Sequence, residues 1–340
     1  MSHSRPIKSD YNFEQYRREV IDLRMKRVLV ANLRGSAQEM DLTVPANCDG
    51  FGRVRHFRRL IDENWPEDPL PIDPACKALG TSFVSMIRAQ AFQIASCNWH
   101  CWYCFVPHEL LSADPNCSSW FSASELIGMY LMEKERPLVI DLTGGNPELV
   151  PEWVVWMMTE LRNHSLDQNT YLWSDDNLST DFFWTMLNEK ERKFIADYPN
   201  YGRVGCFKGF DNKSFSFNTG TEPLLFDRQF ELMDMLLKSG IDIYAYVTFT
   251  TPDRNSVSDD MRRFVDRLQS LHEYLPLRTI PLKIKVFTPV KQRITKPIFQ
   301  TALDNQQFAV EAWKKEIENR FTCSERSAKI TDIPIANEFK

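Results

Sequence analysis

The chain has no apolar run long enough to cross a bilayer as a helix. Its opening, Met1-Ser-His-Ser-Arg-Pro-Ile-Lys-Ser-Asp10, lacks the apolar stretch of a secretory leader, so export is not expected. Basic residues are not in excess. The 41 Lys and Arg against 46 Asp and Glu leave a net charge of −5. That balance excludes a global positive field for recruiting nucleic acid, while a local patch stays open. There is no internal repeat and no low-complexity tract. Eight cysteines scattered over 340 residues do not make the framework of a disulfide-stapled domain. Without a leader they point to a reducing, cytoplasmic compartment. A second dense cysteine group is also missing, which argues against an internal relay of clusters.

What is present is ordinary in bulk and unusual in one place. Hydrophobic residues at 43% and charged residues at 26% suit one large α/β domain with an appendage. Three of the cysteines crowd into Ala95-Ser-Cys-Asn-Trp-His-Cys-Trp-Tyr-Cys-Phe-Val106. Cys97, Cys101 and Cys104 have C-x3-C-x2-C spacing, which lets three thiolates grip one corner of a compact metal centre. Iron–sulfur cubanes are held by thiolates, usually four. Three leave one iron free for a substrate or cofactor. A structural zinc site with His108 as fourth ligand is the competing reading, because zinc accepts Cys3His and a Cys-x3-His step. Of the other cysteines, Cys48, Cys76 and Cys117 are candidates for a second centre or for buried inert thiols; Cys206 and Cys323 belong to no motif.

Downstream, Leu138-Val-Ile-Asp-Leu142 reads as a buried strand running into Thr143-Gly-Gly-Asn-Pro-Glu148 and a helix from Pro151. Glycines at Gly144 and Gly145 would let backbone and ligand approach without a Cβ. The pattern continues. Strands are expected near Arg88–Ser96, Leu138–Leu142, Thr170–Ser174, Arg203–Lys208, Ile241–Thr251 and Leu282–Thr288. Each is followed by apolar 3/4 spacing, as in Phe226, Phe230, Met233 and Leu237, or Met261, Phe264, Leu268 and Leu271. One helix opens at Ser122 with Glu125 closing a capping box, and another is expected over Asp181 to Ala196. Strict alternation implies a parallel sheet with right-handed crossovers, and six units are too few to close an eight-stranded barrel. The fold class is therefore α/β, a (β/α)6 partial TIM barrel over residues 81–298. An N-terminal α+β extension occupies 1–80, its residues 64–76 with four prolines reading as an extended linker, and a C-terminal helix and tail 299–340.

On these residues the chain resembles the radical S-adenosylmethionine (radical SAM) superfamily. The three-cysteine loop matches that superfamily's cluster motif. Gly144-Gly145-Asn146-Pro147 resembles its Gly-Gly-Glu-Pro segment, with Asn146 where Glu is commoner. The resemblance implies a [4Fe–4S] cluster on Cys97, Cys101 and Cys104, with S-adenosylmethionine chelated to its fourth iron. It also implies an external one-electron donor of flavodoxin or ferredoxin type. Tyr103 would flank the adenine, Gly144 and Gly145 the amino group. More loosely, Cys206 to Gly220 is similar to the activating-enzyme branch typified by pyruvate formate-lyase activating enzyme. By that likeness Lys208 approaches the cofactor carboxylate, and Ser174 and Asp176 lie near the ribose or amino group.

The substrate is not identified. It is a protein, as in activating enzymes, or alternatively a nucleotide or nucleic acid. A non-catalytic zinc- or cluster-binding interaction protein is the reading from another class. Several features are ambiguous. Tyr244 and Tyr246 line a wet lumen or are plain core. Lys283 and Lys285 read as edge-strand charges, or as substrate contacts. Arg53, Arg55, Arg58 and Arg59 read as a solvated strand face, or as contacts for an anionic group. Residues 1–63 are expected to cap or edge the barrel and shape substrate access.

Overall fold

The computed structural model of the chain describes residues 13–335; the opening read for a leader and the final stretch of the tail lie outside the described residues. Ten strands follow in chain order. They are β1 (Ile21–Asp22), β2 (Arg27–Ala31), β3 (Gly52–Arg58), β4 (Met86–Gln93) and β5 (Ser118–Ser122). Then come β6 (Val139–Thr143), β7 (Tyr171–Asp176), β8 (Tyr201–Phe207), β9 (Ile243–Thr248) and β10 (Thr279–Leu282). Seven of them form one sheet, ordered β10-β9-β8-β7-β6-β4-β3 and curled into a half-barrel. All neighbours from β4 to β10 are parallel; the count of six matches the alternation, and five of the six lie where it places them. The seventh, β3, pairs antiparallel to β4 from Gly52↔Phe92 to Arg58↔Met86. The N-terminal extension therefore supplies a wall strand of the barrel itself. A second sheet, β1-β2-β5, is antiparallel.

Helices Ala123–Met132, Glu152–Asn163, Leu225–Leu237, Val257–Leu271 and Gln306–Arg320 cover the outer face. Ser122 and Glu125 make the expected capping box. The single helix expected over Asp181–Ala196 is instead two, Phe182–Thr185 and Glu189–Ala196. Asn188 breaks the run by capping the second with Glu191, satisfying amide donors a continuous helix would not need. The extension is anchored by a buried ion pair: Arg17 Nη1 donates to Glu152 Oε2 at 2.8 Å and to the Leu149 carbonyl at 3.0 Å.

Two expectations fail in instructive ways. The sixth strand lies earlier than Leu282–Thr288. Thr279–Leu282 pairs with Ala245–Thr248, and Pro281 is tolerated because β10 is an edge strand. Lys283 and Lys285 thus fall beyond the strand; Lys283 bonds Asp62 at 2.8 Å and sits over Trp65. The stretch 64–76 is not an extended linker. It delivers Leu70, Ile72, Ala75 and Cys76, all buried, into a cluster with Phe57, Val139, Tyr171, Trp173, Tyr244 and Tyr246. The residues of the parallel strands come from their starts and middles, Phe57 comes from the end of antiparallel β3, and all face inward. The segment is the floor of the half-barrel. Tyr244 and Tyr246 do face that interior, and Tyr246 donates to Asp68 at 3.0 Å.

Candidate functional site

Parallel α/β sheets carry their sites beyond the C-terminal ends of the strands. Here that end, the mouth, brings together the cysteine loop, the Gly144-Gly145 loop and Lys208. The cysteine loop leaves β4 and crosses the mouth to β8 and β9. Trp102 Nε1 donates to Asn218 Oδ1 at 3.1 Å, and the Trp102 amide donates to the Asn218 carbonyl. Asn218 Nδ2 in turn donates to the carbonyls of Lys208 and Thr250. One asparagine therefore ties the loop to the ends of two strands.

The glycine loop after β6 packs directly under the cysteine loop. A Cβ on Gly145 would stand 1.9 Å from the Ser96 carbonyl oxygen and 2.6 Å from that of Ile94. Gly144 has φ +90°, and a Cβ there would meet Gln93 at 2.3 Å. These glycines are needed so that the two loops can touch. The Asn146 amide then donates to the same Ser96 carbonyl. Pro147 follows, buried, and opens the short turn Pro147–Leu149.

Buried amides lock the contact. Asn146 Nδ2 and Asn177 Nδ2 both donate to Asn98 Oδ1, at 3.1 and 3.0 Å, and Asn98 Nδ2 donates to Ser179 Oγ at 2.8 Å. Asn177 Nδ2 also lies 3.8 Å from the Cys97 sulfur. Gln229 Nε2 donates to the Asn177 and Cys206 carbonyls, while its Oε1 accepts from the Lys208 amide. The Asn at 146 is thus a structural partner in this network. Asn98, Asn177, Ser179, Gln229 and Asn218 were invisible in the sequence, since single amides form no spaced pattern.

The electrostatics of the mouth centre on thiols. Burial pushes the Cys97 thiol up to about 11, with Cys104 beside it, and the Cys101 thiol up to about 12. Burial likewise raises Cys206 to about 12. Lys208 faces this group: burial opposes its charge, but Cys206, Cys101, Cys97 and Cys104 outweigh that and raise its pKa. Among the described residues Lys208 makes no ion pair with a carboxylate. Tyr103 is buried, accepts from Thr248 Oγ1 at 3.1 Å and contacts Cys101.

Ser174 and Asp176 are placed differently. Ser174 shares a strand face with Leu172 on the helix side and bonds Tyr201 Oη at 2.7 Å. Asp176 accepts from the Leu178 amide at 2.7 Å and lies 3.7 Å from Arg203, which pairs with Glu148 at 3.0 Å. Both side chains are already committed to internal partners.

Among the described residues no three His, Cys, Asp or Glu side chains converge as ligands of a single metal ion. The Cys3His zinc site would need that convergence; His108 instead stacks on His100 at 5.2 Å. Cys48, Cys76 and Cys117, the candidates for a second centre, each have different neighbours. Cys76 lies in the floor cluster, Cys48 lies beside Glu133, and Cys117 reaches the Glu109 carbonyl. A cubane makes a different demand, since each thiolate binds a separate iron. The residues fit it. Raised thiols in a buried setting become good ligands once a cationic centre favours the thiolate. Ser96 Oγ, Trp99 Nε1, His108 Nε2 and Asn177 Oδ1, all in or beside the loop, are buried polar atoms without partners.

The arginine run is not a solvated face. Arg55 reaches Asp141 at 3.1 Å, Arg59 pairs with Asp73, and Arg53 is buried; only Arg58 is exposed. The inward-facing alternate positions of β3 hold Arg53, Arg55 and Phe57.

No protein-family model matches the chain, and no curated protein matches it in sequence. Solved structures match in part. Streptococcus suis SuiB bound to precursor peptide SuiA is 15% identical over 53% of this chain and 36% of that one, with a TM-score of 0.38. SuiB bound to S-adenosylmethionine gives 16%, 52%, 36% and 0.37 in the same order. Native anSMEcpe with bound AdoMet and Cp18Cys peptide gives 15%, 58%, 51% and 0.37. The match spans about a third to a half of those longer chains. At this level of likeness neither protein assigns an activity or a substrate to this chain.

Proposed function

We propose that the chain is a radical SAM enzyme whose cluster is held by Cys97, Cys101 and Cys104. One observation carries the reading. The cysteine loop and the Gly144-Gly145 loop sit on adjacent parallel strands, at their C-terminal ends, and interlock so closely that neither tolerates a Cβ at residue 145. Two motifs 40 residues apart in the chain thus form one physical unit at the face where such sheets bind ligands.

A [4Fe–4S] cluster held by Cys97, Cys101 and Cys104 would supply the one-electron reduction of S-adenosylmethionine that starts hydrogen abstraction from a substrate. The chain's own residues do the rest. Asn98, Asn146 and Asn177 hold the loops in register. Lys208, a cation without a carboxylate partner among the described residues, neutralises thiolate charge and attracts the cofactor carboxylate. Tyr103, fixed by Thr248, bounds the adenine side. The floor of Leu70, Ile72 and Ala75 closes the opposite end against water.

The activating-enzyme likeness is narrower. It rests on β8 ending at Phe207, directly before Lys208, and on the helix Asn212–Thr219, which closes on Gly220 in the left-handed conformation. An external flavodoxin- or ferredoxin-type donor and a reducing cytoplasm complete the proposal. All eight cysteines are free, and no helix among the described residues is long and apolar enough to cross a membrane.

The test is anaerobic reconstitution followed by iron analysis and paramagnetic resonance of the reduced protein. About four irons per chain are expected, the number in a cubane. The signal should change when S-adenosylmethionine is added, and Cys101→Ala should lose the chromophore. Stoichiometric zinc with no iron chromophore would refute the reading.

A further inference from the structure

Four arginines come from one short segment, and the fold gives three of them ordinary roles. Arg55 is held by Asp141 at 3.1 Å and lies 3.9 Å from Asp175. Arg59 is taken by Asp73, with Glu67 at 3.7 Å. Arg58 is exposed on the outer edge. Arg53 differs from all three. It is only 8% exposed, yet it makes no ion pair with a carboxylate among the described residues. An unpaired buried cation is costly and calls for a partner.

Its setting shows what kind of partner. Because β3 runs antiparallel to β4, Arg53 sits opposite Ala91, near the C-terminal end of β4 and so at the mouth. Arg53 Nε donates to Gln93 Oε1 at 3.0 Å. Gln93 is itself fixed by a reciprocal amide pair with buried Gln38, at 2.6 and 3.1 Å. The guanidinium carbon lies over the Phe105 ring, 5.2 Å from its centroid. One edge and one face of the group are thus held. The two terminal nitrogens have no hydrogen-bond partner among the described residues. A guanidinium fixed through Nε and presenting Nη1 and Nη2 is the fork that meets two oxygens of a planar anion.

We propose that Arg53 is a second anion-binding residue of the mouth, beside Lys208, and takes a carboxylate of the substrate through its two terminal nitrogens. The charge around it selects a monoanion. The ionisable groups facing Arg53 are Arg55, Asp141 and Asp175. Asp141 is engaged by Arg55, and Asp175 accepts from Thr143 at 2.5 Å; neither makes an ion pair with Arg53. With both aspartates ionised, the two arginines and two carboxylates balance, so no surplus positive charge is there to hold a second negative charge, which suits a carboxylate better than a dianionic phosphate. Phe105 follows Cys104 directly, so a carboxylate on Arg53 anchors its molecule next to the cysteine loop. The proposal rests on the radical-enzyme reading for the word substrate, not for the site.

The test uses full-length protein, as purified and after anaerobic reconstitution. The guanidinium nitrogen resonances of Arg53 are followed by NMR during titration with acetate and with inorganic phosphate, each with and without saturating S-adenosylmethionine. Acetate should shift them saturably in both conditions and bind more tightly than phosphate. Arg53→Met should weaken acetate binding roughly tenfold or more, as expected for a lost charge-assisted pair. Arg58→Met should leave it unchanged. Arg53→Lys keeps the charge without the planar fork and should also weaken it; wild-type binding by that variant would overturn the fork. So would the absence of any saturable acetate shift. Competition between acetate and S-adenosylmethionine would overturn the substrate assignment, because Arg53 would then serve the cofactor's own carboxylate. If acetate binds while S-adenosylmethionine never does, the radical-enzyme reading falls and the carboxylate site stands.

Discussion

The two ends of the half-barrel are built from different chemistry. The floor is a closed apolar plug. Leu70, Ile72, Ala75 and Cys76 meet Tyr171, Trp173 and Tyr244, whose rings pack at 5.8 to 6.3 Å between centroids. Its main polar feature is Asp68 with Tyr246. The mouth is held by side-chain amides, three thiols, and two cations, Lys208 and Arg53, that make no ion pairs with carboxylates among the described residues. Apolar contact is non-directional and stabilises whatever packs well. Buried amide networks are directional: they fix geometry, and they are costly when incomplete. The comparison assigns stability to the floor and chemistry to the mouth, and substitutions at each end should separate the two.

The largest effect is expected at the seam. Gly145→Val would drive a side chain into the Ser96 and Ile94 carbonyls, which are backbone and cannot swing aside. Overpacking of this kind costs roughly 3 kcal/mol or more. Iron loading should fall together with S-adenosylmethionine binding, measured by iron analysis and calorimetry. Normal loading in a fully stable variant would show that the loops do not depend on each other.

Next comes the floor. Ile72 is fully buried, and Ile72→Ala should cost about 2–5 kcal/mol by denaturant unfolding. Cofactor affinity in the surviving folded protein should not change. A selective loss of affinity would erase the division between the ends.

A smaller, local effect is expected at Asn98→Leu. Asn146 and Asn177 lose their shared acceptor, leaving buried donors unpaired at about 1–3 kcal/mol. Cluster stability under chelation should suffer more than the melting temperature. The reverse order would make the network a stability element only.

The smallest effect is a pH dependence at the floor. Burial pushes the Asp68 carboxyl up from 3.8 to about 6, against the hydrogen bonds from Leu70 and Tyr246. The folded state then holds this proton more tightly than the unfolded chain. Stability should therefore fall as pH rises through that window, and Asp68→Asn should flatten the slope. A slope unchanged in the variant would assign it to other groups.

Much of this was legible in the sequence, and the failures have physical causes. The six parallel strands and their helices show because apolar periodicity reports burial on one side. The cysteine and glycine loops show because their spacing is dense. The floor does not: four prolines between 64 and 76 look like a linker by composition, and only the barrel's interior reveals that Leu70 and Ile72 are core. Sixth-strand placement failed because Pro281 argues locally against a strand, while an edge position tolerates it. The arginines of β3 stay ambiguous in the sequence because charge runs are usually solvated, and only the strand alternation of the fold turns two of them inward. Asn98, Asn177, Gln229 and Asn218 leave no trace in spacing at all. They act through contacts between distant segments.

The most direct test of the account is reductive cleavage at the mouth. Reconstituted protein is incubated anaerobically with dithionite and S-adenosylmethionine, and 5′-deoxyadenosine is quantified beside the Cys101→Ala and Ile72→Ala variants. The account predicts 5′-deoxyadenosine and methionine in equal amounts from the native chain, none from Cys101→Ala, and native yield per folded molecule from Ile72→Ala. An iron-loaded, folded native protein that forms no 5′-deoxyadenosine would contradict it.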